Sequence, residues 1–145
     1  MGEEPKKIGG VLISHGQFAN ELLSAAEQVV GEIPHIAAVS IGWHDNVEVA
    51  QGEIERAMKG VSGGKGVLLL TDMFGGTPTN IAAMFIKQDE VEVITGVNLP
   101  MVVKLASQNK EITLAELAAQ VEEQGKASIY RAAELLSPHK SKKDD

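Results

Sequence analysis

Residues 66–80 read GVLLLTDMFGGTPTN, from Gly66 to Asn80. An unbroken apolar run stops at Thr71 and Asp72. Two glycines follow, and Thr77-Pro78 then opens a polar-apolar stretch. Residues 66–71 are thus expected to form a strand, and 77–87 a helix with Thr77 as N-cap and Pro78 in the first position. A missing N–H costs nothing there. A strand without polar alternation belongs to a sheet covered on both faces.

The same grammar runs in both directions along the chain. Residues 8–14 and 36–41 read as strands, as do 91–95. Between them, 17–31 places Phe18, Leu22, Ala25, Ala26 and Val29 at helical spacing, and 45–60 does so with Val47, Ala50, Ile54, Ala57 and Met58. Asp45 with Glu48 resembles a capping box. Residues 98–107 are expected to be helical. Residues 113–124 form a helix opened by Thr113-x-x-Glu116 and stopped by Gly125. Residues 127–132 fit either an edge strand or a helix start. Alternating strands and helices specify an α/β fold, doubly wound, with a mainly parallel sheet of about four strands and helices on both faces. One domain is expected over 8–136, with flexible tails at 1–7 and 137–145.

Composition narrows the function. The chain has 145 residues, 43% of them apolar, enough for one packed core. It has no cysteine, which excludes disulfides, thiol nucleophiles and cysteine-ligated metals. A net charge of -7 argues against nucleic acid as a partner. No apolar run approaches a membrane span or a signal core, so a cytoplasmic protein without membrane insertion is expected.

In the common small doubly wound order, strands 1 and 3 are neighbours and the crevice lies beyond their carboxyl ends. That directs attention to two loops. Ser14-His15-Gly16 places a histidine at the end of the first strand, with Gly16 allowing a sharp turn. Asp72–Thr77 places a carboxylate at the end of the third, followed by Gly75 and Gly76, whose N–H groups stand at a positive helix end suited to an anion. If the strands are adjacent, His15 and Asp72 meet. A carboxylate on Nδ1–H fixes the tautomer and frees Nε2 to attack. Beside an anion cradle the natural electrophile is a phosphoryl group, giving a phosphohistidine whose oxygens face Gly16, Gly75, Gly76 and Thr77. No Walker loop or acidic cluster is present, so neither a metal nor a cofactor is expected.

Three segments, GGVLISHGQFANELLSAAEQVVGE, GVLLLTDMFGGTPTNIAA and VITGVNLPMV, together resemble the IIA component of the mannose family of the phosphoenolpyruvate-dependent sugar phosphotransferase system. The resemblance spans about 8–124. It implies that His15 is the phosphorylated residue and Asp72 its acidic partner. It puts Thr77 at the phosphate beside Gly75 and Gly76, and Asn98 and Pro100 in a loop near the site. Phe74 and His44 are further candidates for lining it. The resemblance also implies a phosphotransferase that receives phosphate from the histidine phosphocarrier protein and passes it to a separate IIB component. It implies a homodimer and an antiparallel C-terminal edge strand.

Other readings share part of this pattern. A regulatory sensor of phosphorylation state, or the phosphocarrier subunit of a dihydroxyacetone kinase, would use the same chemistry at His15. A metal-handling chelatase would need a second late histidine, and only His139, in the polar tail, is available.

Overall fold

A computed structural model describes residues 6–42 and 46–136. The elements follow in the order β1 (Gly9–His15), α1 (Phe18–Val30), β2 (Ile36–Ile41), α2 (Val47–Val61), β3 (Val67–Thr71), α3 (Gly76–Ala83), β4 (Val91–Thr95), α4 (Leu99–Ala106), α5 (Leu114–Ala127) and a short α6 (Ala132–Leu135). The four strands are all parallel, in the order β2-β1-β3-β4. β1 and β3 are therefore neighbours, with Ile13 opposite Thr71.

Alternate residues of the central strands feed two separate cores. Leu12, Leu68 and Leu70 pack with Leu22 and Ala26 of α1, Val102 and Leu105 of α4, and Leu117 and Val121 of α5. Val11, Ile13 and Leu69 pack on the other face with Ala50 and Ile54 of α2 and Ile81 and Ala82 of α3. Both faces of the sheet are covered, as its apolar strands require.

Several ends differ from the expectation. The first helix buries Ala19, Leu22 and Ala26, leaving Phe18 and Val29 exposed at its two ends. α2 is capped by Asn46, whose Oδ1 accepts the Glu48 N–H at 2.7 Å and the Val49 N–H at 3.3 Å. Asp45, expected to cap it, lies outside the described residues. α3 starts one residue earlier than Thr77, so Thr77 and Pro78 take its second and third positions. An N–H in the third position has no helical acceptor either, so the missing N–H of Pro78 is tolerated. The same helix ends at Ala83, because Lys87 and Val91 exchange backbone hydrogen bonds of 3.1 and 2.9 Å that turn the chain into β4.

The capping box of α5 is present, with Glu116 N–H on Thr113 Oγ1 at 3.2 Å and Thr113 N–H on Glu116 Oε1 at 3.1 Å. Gly125 does not stop α5. It is buried inside the helix, where a Cβ would come within 2.5 Å of Met101 Sδ on α4. The absence of a side chain serves helix contact rather than helix termination. The C-terminal edge strand is also not formed in the single chain. Ser128 to Arg131 pair with no strand, and α6 follows. Residues 1–5 and 137–145, which contain most of the expected tails, lie outside the described residues.

Candidate functional site

His15 is the last residue of β1, and Asp72 is the first residue after β3. The parallel register brings them together at the carboxyl ends of the two central strands. Asp72 Oδ2 accepts the main-chain N–H of His15 at 2.9 Å and lies 2.8 Å from its ring Nδ1. The other oxygen, Oδ1, accepts the Met73 N–H at 2.9 Å. Both carboxylate oxygens are thus committed to fixing one loop and one ring.

Burial alone would push the Asp72 carboxyl up. The His15 backbone N–H, the His15 ring and its charge, and the Met73 N–H outweigh it and hold the group below the ordinary carboxylate range. An ionised carboxylate only accepts hydrogen bonds, so the proton on this contact belongs to Nδ1. Nε2 is left with its lone pair. The imidazole is 53% exposed while Asp72 is 14% exposed, so an anchored acid supports an open ring.

Gly76, the first residue of α3, stands against that open side. A Cβ there would sit 3.3 Å from His15 Cε1 and 3.4 Å from Nε2, on a backbone with φ +86°. Gly75, also at positive φ, has open space around it. Thr77 is exposed in the second position of α3, and its hydroxyl has no partner among the described residues. The first turn of α3 carries N–H groups without helical acceptors at a positive helix end, and Gly76 of that turn lies beside Nε2.

The remaining expected residues have contacts of their own. Gly16 takes φ +56° and donates its N–H to the Ile41 carbonyl at 3.0 Å, so it supplies the turn and not an anion contact. Phe74 is 82% exposed and lines a cleft along β4 with Asn98 and Ile129. Asn98 caps α4 through the Met101 N–H and donates Nδ2 to the Gly125 carbonyl at 3.2 Å, tying α4 to α5. Pro100 lines a different cleft, with Val29, Val103 and Gln124. No hydrogen bond links Asn98 to His15 or Asp72. His44 and His139 lie outside the described residues.

Two hydroxyl groups around the site carry no sequence signature. Ser14, fully buried, accepts the Ala19 N–H at 2.7 Å, serving the start of α1, and reaches the His15 carbonyl at 3.0 Å. Thr79 bonds both Thr71 and Met73, the residues that flank Asp72. A Ser before the strand-end His and a Thr facing back along the third helix look like ordinary strand and helix residues until the chain is folded.

Fold and site together define a doubly wound α/β domain that presents one acid-anchored imidazole in front of a glycine-rich helix start. The family described as PTS system fructose IIA component matches residues 9–122. The chain belongs to this family, the mannose-type IIA components of the sugar phosphotransferase system, and has a phosphocarrier role in sugar uptake. It is 29% identical over 139 residues to the PTS system fructose-specific EIIA component of Bacillus subtilis strain 168, covering 95% of each chain. It is 32% identical over 124 residues to the PTS system mannose-specific EIIAB component of Escherichia coli K12. That match takes in 84% of this chain and 38% of the longer relative. Among solved structures, the mannose/sorbose specific IIA subunit of Enterococcus faecalis superposes with a TM-score of 0.77 at 31% identity, covering 86% of this chain and 94% of that one.

Proposed function

We propose that His15 Nε2 takes a phosphoryl group from the phosphohistidine of the histidine phosphocarrier protein and passes it to a histidine of a IIB component. The observation that carries this reading is the 2.8 Å contact between Asp72 Oδ2 and Nδ1, which leaves Nε2 as the free nucleophile beside Gly76. In the forward step the donor's N–P bond breaks as the Nε2–P bond forms, and the Nδ1 proton stays on the Asp72 side. The cation that develops on the ring is stabilised by the carboxylate. The phosphoryl oxygens are received by the N–H groups of Gly75, Gly76 and Thr77 and by the Thr77 hydroxyl. Transfer between two imidazoles exchanges similar bonds, so the step is close to thermoneutral and positioning supplies most of the catalysis.

The openness of the ring supports a protein donor and a protein acceptor, since each must bring its own imidazole to the same nitrogen. One transfer domain over 8–136 carries the chemistry. The exposed apolar residues Ile129, Tyr130, Leu135 and Leu136, the first of which shares a cleft with Val93, Ile94 and Thr95 of the edge strand β4, favour a homodimer that covers them. A cytoplasmic site of action agrees with the lack of any helix, among the described residues, long and apolar enough to cross a membrane. The test is a chase: the phosphorylated chain is mixed with a IIB protein or with a dihydroxyacetone kinase complex. Discharge to IIB is expected, and discharge to the kinase complex alone would overturn the assignment of the acceptor.

A further inference from the structure

The geometry points to Thr79 as a positioning residue that holds both sides of the His15 imidazole in register, an inference that rests on the reading of His15 as the phosphate carrier. Thr79 is the fourth residue of α3 and is buried. Its hydroxyl donates to the Met73 carbonyl at 2.7 Å. A hydroxyl has one proton, so in the 2.8 Å contact between the two threonines Thr71 Oγ1 is the donor and Thr79 Oγ1 the acceptor. A single oxygen therefore holds the residue before Asp72 and the residue after it.

The same helix supplies Gly76, which lies against the Nε2 edge of the ring. Asp72 meets the Nδ1 edge. Thr79 is the link between the two, because it belongs to the rigid helix and bonds to the loop that carries the carboxylate. The segment between them offers little resistance of its own. Phe74 is almost wholly exposed, and Gly75 and Gly76 both sit at positive φ. The Met73 N–H is spent on Asp72 Oδ1, a contact internal to the loop. From the other side, the Thr71 carbonyl takes the Gly96 and Val97 N–H groups at 2.9 and 3.0 Å, which anchors the end of β3 to the turn after β4. With that end fixed, the relative placement of Asp72 and the α3 start depends on the Thr79 hydroxyl.

The experiment compares Thr79→Val, which keeps the shape and deletes both hydrogen bonds, with Thr79→Ser, which keeps the hydroxyl. The full chain is used in each case. Long-range proton–nitrogen NMR of the His15 ring reads the tautomer, and phosphoryl transfer from the phosphorylated phosphocarrier protein reads the rate. T79V is expected to convert a single Nδ1–H tautomer into a mixture and to slow transfer about tenfold or more, since small misplacements of a reacting group are costly. T79S is expected to restore both. A T79V protein with wild-type ring signals overturns the proposal, as does a T79S protein as impaired as T79V. Should T79V not fold, Thr71→Val removes one of the two bonds and is read in the same way, with an unchanged tautomer overturning the inference. If the wild-type chain takes up no phosphate, the functional reading fails, while the ring signals still decide the role of Thr79.

Discussion

Asp72 holds His15 twice with one oxygen: Oδ2 receives the main-chain N–H at 2.9 Å and faces ring Nδ1 at 2.8 Å. The backbone contact fixes where the residue sits, and the ring contact fixes how the imidazole is turned. An aspartate at this position thus anchors the end of β1 and selects the tautomer together.

Asp72→Asn should separate the two roles. An amide oxygen can still accept the His15 N–H, so the fold persists, but the amide cannot stabilise an imidazolium and can present the wrong group to Nδ1. Transfer from the phosphocarrier protein should slow by up to about 10⁴-fold, the loss seen when the orienting acid of a catalytic histidine becomes an amide. Rapid-quench rates equal to wild type would remove Asp72 from its role. The substitution should also alter acid stability. The folded carboxyl is held below its ordinary value of 3.8, so its contribution is present above that pH and is lost as the pH falls through the lower folded value. Denaturant midpoints should fall less steeply below about pH 4 in the variant.

Gly76→Ala and Gly75→Ala form a matched pair. Both residues sit at positive φ, so each alanine should cost about 1–3 kcal/mol of stability. Only the Cβ at position 76 meets the imidazole, at 3.3 and 3.4 Å. Gly76→Ala should therefore lose far more transfer activity than Gly75→Ala at similar loss of stability. Equal activities would show that the approach of Gly76 to the ring is irrelevant to the chemistry.

His35 provides a pH response at the opposite end of the sheet. It precedes β2, and its buried Nε2 has no hydrogen-bond partner among the described residues. Burial and the nearby Lys7 charge lower its pKa from 6.5, with the Leu105 and Ala106 backbone pulling the other way. A histidine with a depressed folded pKa leaves the unfolded chain holding more protons. Its stabilising effect is complete above 6.5 and declines as the pH falls from there toward the folded value. For one proton the slope cannot exceed about 1.4 kcal/mol per pH unit. Urea unfolding of wild type and His35→Gln should show this slope only in the wild type, and parallel curves would contradict it.

Much of the architecture was legible because it depends on local composition. β2 and β4 lie at the expected residues, since short apolar runs flanked by polar turns admit few other readings. The Thr113–Glu116 capping box is likewise a local device. His15 and Asp72 could be paired from sequence only through the general rule that places strands 1 and 3 side by side. The misreadings share a cause. Gly125 looked like a helix stop, but its role depends on Met101, which is distant in sequence. Asn98 has a further role that its sequence position does not announce, since its side chain ties α4 to α5. Thr79 was silent because its partners, Thr71 and Met73, become neighbours only after α3 folds back on the end of β3. Residues 128–131 were open to a strand reading because they follow α5 beside β4, an edge strand that no other strand among the described residues covers.

The most direct test of the central claim is the position of the phosphate. The full chain is incubated with phosphoenolpyruvate, enzyme I and the phosphocarrier protein, then read by peptide mass spectrometry and by phosphorus–nitrogen NMR of the intact protein. One acid-labile phosphate is expected on His15, bonded to Nε2, the ring nitrogen turned away from Asp72, and none on His15→Ala. Phosphate bonded to Nδ1, or labelling of the alanine variant at the wild-type level, would contradict it.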